Sequence, residues 1–151
     1  MKRSETITEK RQRSYRARRT LKALRVLFPS AGMMLAYKND WELMVAVQLS
    51  AQCTDKKVNQ VTPALFARFP KLDDYVAADP HEFEQLIYQT GFFRAKTKNI
   101  LAAAKMVKHE FHGKLPKTMD EMLAIPGVGR KTASVVLGNA YGVSEGIAVD
   151  T

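Results

Sequence analysis

The chain has 151 residues, of which 46% are hydrophobic and 26% are charged, and its formal net charge is +9. This length and composition are typical of one globular domain and exclude disordered, collagenous and coiled-coil proteins. No apolar run approaches the roughly 20 residues that span a bilayer, which excludes a membrane protein. The single Cys excludes an internal disulfide framework and any four-cysteine metal site. A free thiol and no apolar leader favour a reducing cytosol over secretion.

The positive charge is concentrated near the beginning of the chain. Residues 1–25 contain ten Lys and Arg and two Glu, a net of +8, which leaves +1 for the remaining 126 residues. A basic arm of this kind suits a polyanion such as nucleic acid. A solvated, partly disordered tail fits equally well, and an Arg-rich organelle presequence is a third alternative, which Glu5 and Glu9 disfavour. We assign residues 1–20 to this basic N-terminal arm.

Helical periodicity begins with an apolar stripe in residues 15–28. Asp40 is predicted to cap a second helix, which is apolar on nearly all sides and therefore belongs in the core. Thr54 and Asp55 are predicted to begin a third helix, with apolar residues at helical spacing after them.

The second half of the chain continues this pattern. Asp79 and Pro80 give an N-cap and a proline at the first helical position, and the helix over residues 81–89 stops at Gly91. Three further helices are predicted: residues 93–111, a short helix opened by the capping-box pair Thr118 and Glu121, and residues 130–141. Because we find no alternating apolar run bounded by turns, we expect no strands. The predicted fold is all-α, with about six helices between residues 40 and 141.

A glycine-rich turn, residues 125–132 (IPGVGRKT), joins the last two predicted helices. Pro126 ends the first helix, while Gly127 and Gly129 permit positive φ and a close approach of the backbone to another molecule. The turn presents backbone N–H groups at the positive end of the next helix, which suits a phosphodiester. Val128 either anchors the turn or contacts a sugar.

An ordinary interhelical turn is the alternative for this segment. The order Pro, Gly, apolar, Gly, basic, Lys, Thr favours phosphate binding, and it resembles the helix-hairpin-helix DNA-binding motif. The candidate DNA-binding residues of the segment are Ile125, Gly127, Val128, Gly129, Arg130 and Thr132.

Lys131 lies in the first turn of the outgoing helix. Because the positive end of a helix disfavours an ammonium group, we expect the pKa of Lys131 to be lowered. A lowered pKa makes the neutral amine available as a nucleophile. A surface lysine that pairs with phosphate is the alternative when this residue is considered alone.

Three stretches of the sequence together resemble the endonuclease III family of DNA glycosylases and AP lyases. The first is residues 44–55 (MVAVQLSAQCTD), which is similar to the family's L-S-A-Q-x-T-D helix end, and the second is residues 91–100 (GFFRAKTKNI). The third is the hairpin with Lys131, followed by a glycine-containing loop and by Asp150 in the sequence VDT. The resemblance extends from about residue 20 to Thr151, and its motifs taken together are specific.

The resemblance also implies an architecture. Residues 40–141 correspond to a helical barrel that contains the helix-hairpin-helix at about 118–138. Residues 21–39 correspond to the N-terminal helix and linker of a second domain, and residues 142–151 to the loop that ends at the catalytic aspartate. The remainder of the second domain is absent from this sequence, so we expect a chain truncated before the family's cluster region.

Catalytic roles for Lys131 and Asp150 follow from the resemblance. In the family, the lysine attacks C1′ of the damaged nucleotide, the base leaves, and a Schiff base permits β-elimination of the 3′ phosphate. The aspartate activates the lysine or stabilises the sugar cation. The implied partner of the monomeric enzyme is double-stranded DNA with an oxidised pyrimidine or an abasic site. A non-catalytic DNA-binding module and an inactive fragment remain as alternatives.

Gln52 and Phe92 match the family's wedge positions, which fill the gap that an extruded base leaves in the duplex. The residues alone suggest other roles. Gln52 fits a helix C-terminal amide bonded to the backbone, and Phe92 fits a core aromatic after a glycine turn.

No metal or cofactor site is expected within this chain. The family usually carries a [4Fe–4S] cluster held by four cysteines, and the sequence contains none of these four. Cys53 is expected to be a core residue near a helix end, and the three His form no convincing metal site. The implied location is the nucleoid in a bacterial cytoplasm, with an organelle or a nucleus left open.

Overall fold

The computed structural model describes residues 6–146, and the chain divides after Met33 into two compact units. Within its described residues, 6–33, the first unit contains one helix, α1 (Ile7–Leu27), in which no residue is buried. The helices of the second unit are α2 (Asp40–Leu49), α3 (Asp55–Arg68), α4 (Leu72–Val76), α5 (Pro80–Ile87), α6 (Phe93–Glu110), α7 (Met119–Ala124) and α8 (Arg130–Tyr141). A turn of 3₁₀ helix, Tyr88–Thr90, joins α5 to α6.

The prediction of an all-α fold is confirmed, since residues 6–146 form helices, turns and loops with no strand. Over the described part of the second unit there are seven α-helices, where the sequence predicts about six. The additional helix is α4, whose five residues are too few to show a helical repeat. Among the helices so described, none is long and apolar enough to cross a membrane.

Helix α1 begins before the apolar stripe that predicts it. The Thr6 side chain accepts a hydrogen bond from the backbone N–H of Glu9 at 3.3 Å, and the Glu9 carboxylate accepts one from the N–H of Thr6 at 2.8 Å. This capping box precedes a run rich in Arg, Lys, Ala and Leu, all strong helix formers, and so the helix begins at Ile7. The boundary predicted at residue 20 between arm and helix therefore falls inside α1 and does not mark a structural division.

Helix α2 lies at the centre of the second unit. Its residues 42–49 are all buried, as predicted for a helix that is apolar on nearly all sides, and it packs against α3, α6 and α8. The predicted N-cap at Asp40 is wrong by one residue, because Asn39 has the extended backbone and its side chain accepts from the N–H of Glu42 at 2.9 Å. Asp40 occupies the first helical position, where a carboxylate interacts favourably with the helix dipole.

The other predicted capping residues are confirmed. Three side chains accept a hydrogen bond from the backbone N–H three residues later: Thr54 before α3, Asp79 before α5 and Thr118 before α7. The helix predicted over residues 81–89 ends as an α-helix at Ile87 and continues as the 3₁₀ turn. Gly91, at φ 70°, then reverses the chain into α6.

Aromatic packing explains why the short helix α4 forms at all. Tyr75, on α4, is 1% exposed, and its ring centroid lies 5.3 Å from that of Trp41 and 5.8 Å from that of Phe83. The ring of Phe69 completes the cluster at 5.5 Å from both Tyr75 and Phe83. Burial of these rings, together with their tilted and edge-on contacts, stabilises a five-residue helix that has little stability of its own.

We predict that Phe83→Ala lowers the free energy of unfolding by about 3–5 kcal/mol, because it leaves a cavity in this cluster. Tyr88→Ala is the matched control, since Tyr88 is 59% exposed whereas Phe83 is 0% exposed. We expect the control to change stability by less than about 1 kcal/mol. Urea denaturation followed by circular dichroism measures both variants, and equal losses would contradict this account of the cluster.

Candidate functional site

The segment between α7 and α8 is a tight hairpin. The N–H of Val128 donates to the carbonyl oxygen of Ile125 at 3.1 Å, and Gly127, at φ 75°, occupies the third position of this turn. Proline at the second position and a positive-φ glycine at the third define a type II β-turn. Ile125 and Val128 are 2% and 7% exposed. Of the two roles predicted for Val128, its burial supports the anchor.

Gly127 and Gly129, which both permit positive φ, differ in conformation. Gly127 adopts positive φ, whereas Gly129 has φ −90° and ψ 173°. Gly129 is instead the N-cap of α8, and a Cβ built on it would meet no atom within 4 Å. The first turn of α8 therefore begins without a side-chain cap and beside open space, an arrangement that suits an anion.

Helices α2 and α6 hold the hairpin from two sides. The Gln48 side-chain amide on α2 donates to the carbonyl oxygen of Pro126 at 3.3 Å. A Cβ on Gly127 would lie 2.8 Å from Cβ of Asn99 on α6, closer than two such atoms can approach. Gly127 is thus required both by its φ and by the neighbouring helix.

One cavity of about 290 Å³ brings the predicted nucleophile together with a predicted wedge residue. Its lining includes Lys131 and Thr132 from α8 and Gln52 from the turn after α2. Asp55, the first residue of α3, also lines this cavity. Asp55 is predicted only as a helix start, although its place in the motif of residues 44–55 also signals a functional role.

A second cavity, of about 270 Å³, brings the other predicted wedge residue beside the hairpin. Its lining includes Gln52, Phe92 and Gly127, together with Lys96 and Asn99 from α6. Because Gln52 lines both cavities, the two adjoin along the turn after α2.

Gln52 and Phe92 share an unusual backbone conformation. Their φ angles are 52° and 47°, in the left-handed region that side-chain-bearing residues rarely adopt. Such residues cost on the order of 1–3 kcal/mol each and cluster at binding sites. Phe92 is 68% exposed, so it is not the core aromatic that was one reading of the sequence. Gln52 is exposed as well.

Lys96 is buried beside these two turns, at 7% exposure. Its ammonium donates to the carbonyl oxygens of Leu49 and Thr90, at 2.8 Å each. Burial lowers the pKa of Lys96, and the proximity of Cys53 acts in the opposite direction. Lys96 belongs to the motif of residues 91–100, but its burial is not predicted, because a lysine in a helical pattern is most often on the surface.

The remaining predicted site residues are distributed as follows. Arg130 is exposed at the beginning of α8. Asp150 lies outside the described residues, so its role as a catalytic partner of Lys131 stays a prediction.

Over residues 34–146, the helices of the second unit and their hairpin together define a helix-hairpin-helix protein. Over residues 45–151 the sequence matches the HhH-GPD superfamily of base excision DNA repair proteins, and the chain belongs to this family. The predicted resemblance is thereby confirmed.

Two endonuclease III proteins are similar in sequence. That of Synechocystis is 49% identical over 136 residues, which are 90% of this chain and 62% of the relative. That of Bacillus subtilis is 47% identical over 125 residues, 83% of this chain and 57% of the relative. The chain thus spans about three fifths of the length of these relatives.

Solved structures agree with this assignment. A non-covalent endonuclease III–DNA complex and a trapped endonuclease III–DNA covalent intermediate each superpose with a TM-score of 0.85 at 43% identity, covering 91% of this chain and 64% of theirs. A thermostable thymine-DNA glycosylase shares the fold, with a TM-score of 0.70 at 20% identity.

An iron–sulfur cluster does not fit the residues of this chain. Four thiolates are needed to hold one, and Cys53 is the single cysteine in the sequence. Within residues 6–146, no group of three or more His, Cys, Asp and Glu could hold a metal ion.

We predict that Gly127→Ala lowers the free energy of unfolding by at least about 2 kcal/mol, because Ala is strained at positive φ and its Cβ overlaps Asn99. Gly129→Ala is the matched control in the same turn, with an allowed φ and open space, and it should cost less than about 1 kcal/mol. Thermal unfolding of both variants is the measurement. A larger loss for Gly129→Ala would contradict the geometry described.

Proposed function

We propose that this chain carries the catalytic machinery of a base-excision DNA glycosylase and AP lyase that removes oxidised pyrimidines and cleaves abasic sites. The observation that carries the proposal is the shared cavity of Lys131, Thr132 and Gln52 beside the hairpin. Family membership and the likeness to a trapped endonuclease III–DNA covalent intermediate support it. The enzyme would act as a monomer on the nucleoid DNA of a bacterium.

Lys131 supplies the nucleophile in this proposal. Its neutral amine attacks C1′ of the damaged nucleotide, and the bond from C1′ to the base breaks with the electron pair leaving on the base. Ring opening gives a protonated imine, in which loss of a C2′ proton expels the 3′ phosphate. Asp150 would accept a proton from the lysine or stabilise the developing cation, a role that rests on the family resemblance.

Gln52 and Phe92 would hold the duplex open while the damaged nucleotide occupies the site. The exposed Phe92 ring can stack on a neighbouring base, and the Gln52 amide can both donate to and accept from the base left unpaired. The turn with Gly127 and the uncapped start of α8 would contact the phosphate backbone. These contacts position the DNA, while the two side chains recognise the gap.

We predict that sodium borohydride traps a covalent adduct between the chain and abasic-site duplex, and that Lys131→Ala abolishes it. Reduction converts the imine into a stable amine, so the adduct survives denaturing electrophoresis. Lys105→Ala, an exposed lysine on α6, should trap as well as the unaltered chain.

An adduct in Lys131→Ala would overturn the assignment of the nucleophile. Salt-sensitive DNA binding without any adduct in the unaltered chain would indicate a non-catalytic DNA-binding module. A chain without a cooperative melting transition would instead indicate an inactive fragment.

Helix α1 supplies a second, non-catalytic contact with DNA in this proposal. Four of its basic residues recur at intervals of seven, four and three, which places them along one side of a helix: Arg11, Arg18, Lys22 and Arg25. All four are exposed. Leu24 lies on a different side of the helix, whereas Leu21, three residues after Arg18 and four before Arg25, borders the basic stripe.

We predict that replacing these four residues with Gln reduces the slope of log Kd against log salt by as much as about 3.6, at about 0.9 for each lost phosphate contact. Replacing Lys10, Arg13, Arg16 and Arg19 with Gln removes the same charge from other sides of the helix and is the matched control. Binding to undamaged duplex between low and moderate salt measures both. Equal reductions would show that net charge, and not the stripe, attracts DNA.

A further inference from the structure

We propose that Lys96 is a positioning residue that sets where Gln52 and Phe92 enter the duplex. It joins the turn after α2, which carries Gln52, to the turn before α6, which carries Phe92; these are the two wedge turns. This inference rests on the proposed function of those two side chains. Lys96 does not contact DNA or the reacting atoms in this account. It acts by fixing the backbone that carries the two residues which do.

The hydrogen bonds of Lys96 connect the segments on either side of the second cavity. Its ammonium donates to Leu49, three residues before Gln52, and to Thr90, two residues before Phe92. Its backbone N–H donates to the carbonyl oxygen of Phe92 itself, at 3.0 Å. One residue therefore bonds both turns and would transmit a displacement of either turn to the other.

The two carbonyl acceptors favour a cationic donor. Leu49 is the last residue of α2, where the terminal carbonyl groups carry the negative end of the helix dipole. Thr90 closes the 3₁₀ turn and is 2% exposed, so its carbonyl group has little access to water. A buried ammonium is tolerated because these charge-assisted bonds replace part of its hydration.

The backbone of both turns is strained, and the hydrogen bonds of Lys96 hold it in place. Gln52 and Phe92 both hold positive φ, a conformation that persists only where the surroundings determine it. Without the ammonium, each turn is free to relax toward a less strained backbone, and the exposed side chains then lose their fixed spacing. A preorganised pair loses less conformational freedom on binding than a mobile pair.

The test is a double-mutant cycle between Lys96→Met and Phe92→Ala, measured in the full chain. Methionine keeps the unbranched stem and removes the charge. We expect Lys96→Met to weaken binding to abasic-site duplex about tenfold, with less than a twofold effect on undamaged duplex. In the Phe92→Ala background the same change should weaken binding to abasic-site duplex by clearly less than tenfold, because one of the two side chains that it positions is already missing.

Two controls separate positioning from stability. Val107→Ala removes buried volume from the same helix, away from both turns, and should not alter discrimination between the two duplexes. The fluorescence of 2-aminopurine opposite the abasic site reports unstacking of the orphaned base, and Lys96→Met should reduce its increase on binding. If Lys96→Met does not fold, Lys96→Arg replaces it, since the longer side chain displaces the carbonyl groups while keeping the charge.

Independent effects of the Lys96 and Phe92 substitutions would overturn the inference, as would an equal loss of discrimination in Val107→Ala. These outcomes are distinct from failure of the proposed function. In that case the unaltered chain itself would neither prefer abasic-site duplex nor form a borohydride-trapped adduct.

Discussion

The burial of helix α2 is the constraint on which the candidate site depends. All of its residues from 42 to 49 are removed from water, so the helix cannot shift without opening the core of its unit. From its last turn, Gln48 bonds the hairpin and the Leu49 carbonyl group accepts from Lys96. The chain leaving this turn carries Gln52. This buried helix thus fixes the elements that would contact DNA.

Helices α6 and α8, whose first turns lie at the site, both begin without a side-chain cap. The N-cap of α6 is Phe92 and that of α8 is Gly129, and neither provides a side-chain hydrogen bond. Other helices in the same unit, including α2, α3, α5 and α7, have a capping oxygen. Relative to a side-chain cap, Ala costs about 1 kcal/mol and Gly only a few tenths, so the missing cap is a modest cost that a phosphate can offset.

Much of the fold can be predicted from the sequence, because each helix is indicated by residues within it or directly beside it. The capping residues Thr54, Asp79 and Thr118 follow from side-chain chemistry within one turn, and the burial of α2 follows from its composition. Helix α4 was missed because it is stabilised by the burial of Tyr75 among rings from other helices. Such a helix depends on tertiary packing, which the five residues themselves do not encode.

The candidate site was predictable for a different reason. Its residues occur in motifs, and so the resemblance named Lys131, Gln52 and Phe92 before any geometry was known. What the motifs did not reveal was the role of Lys96, whose acceptors lie 47 and 6 residues away along the chain. The backbone conformation of Gly129 could not be predicted from the sequence either, since a glycine permits positive φ without requiring it.

The position of Trp41 makes the core and the site separately observable. It is the single tryptophan of the chain, it lies in the first turn of α2, and its ring meets Tyr75 edge-on. At 1.5 Å per residue it is about 12 Å along the helix from Leu49, at the end remote from both wedge turns. Its emission therefore reports the integrity of the aromatic cluster and is insulated from a base stacked on Phe92. Intrinsic fluorescence can follow unfolding of this unit even while the site is occupied by DNA.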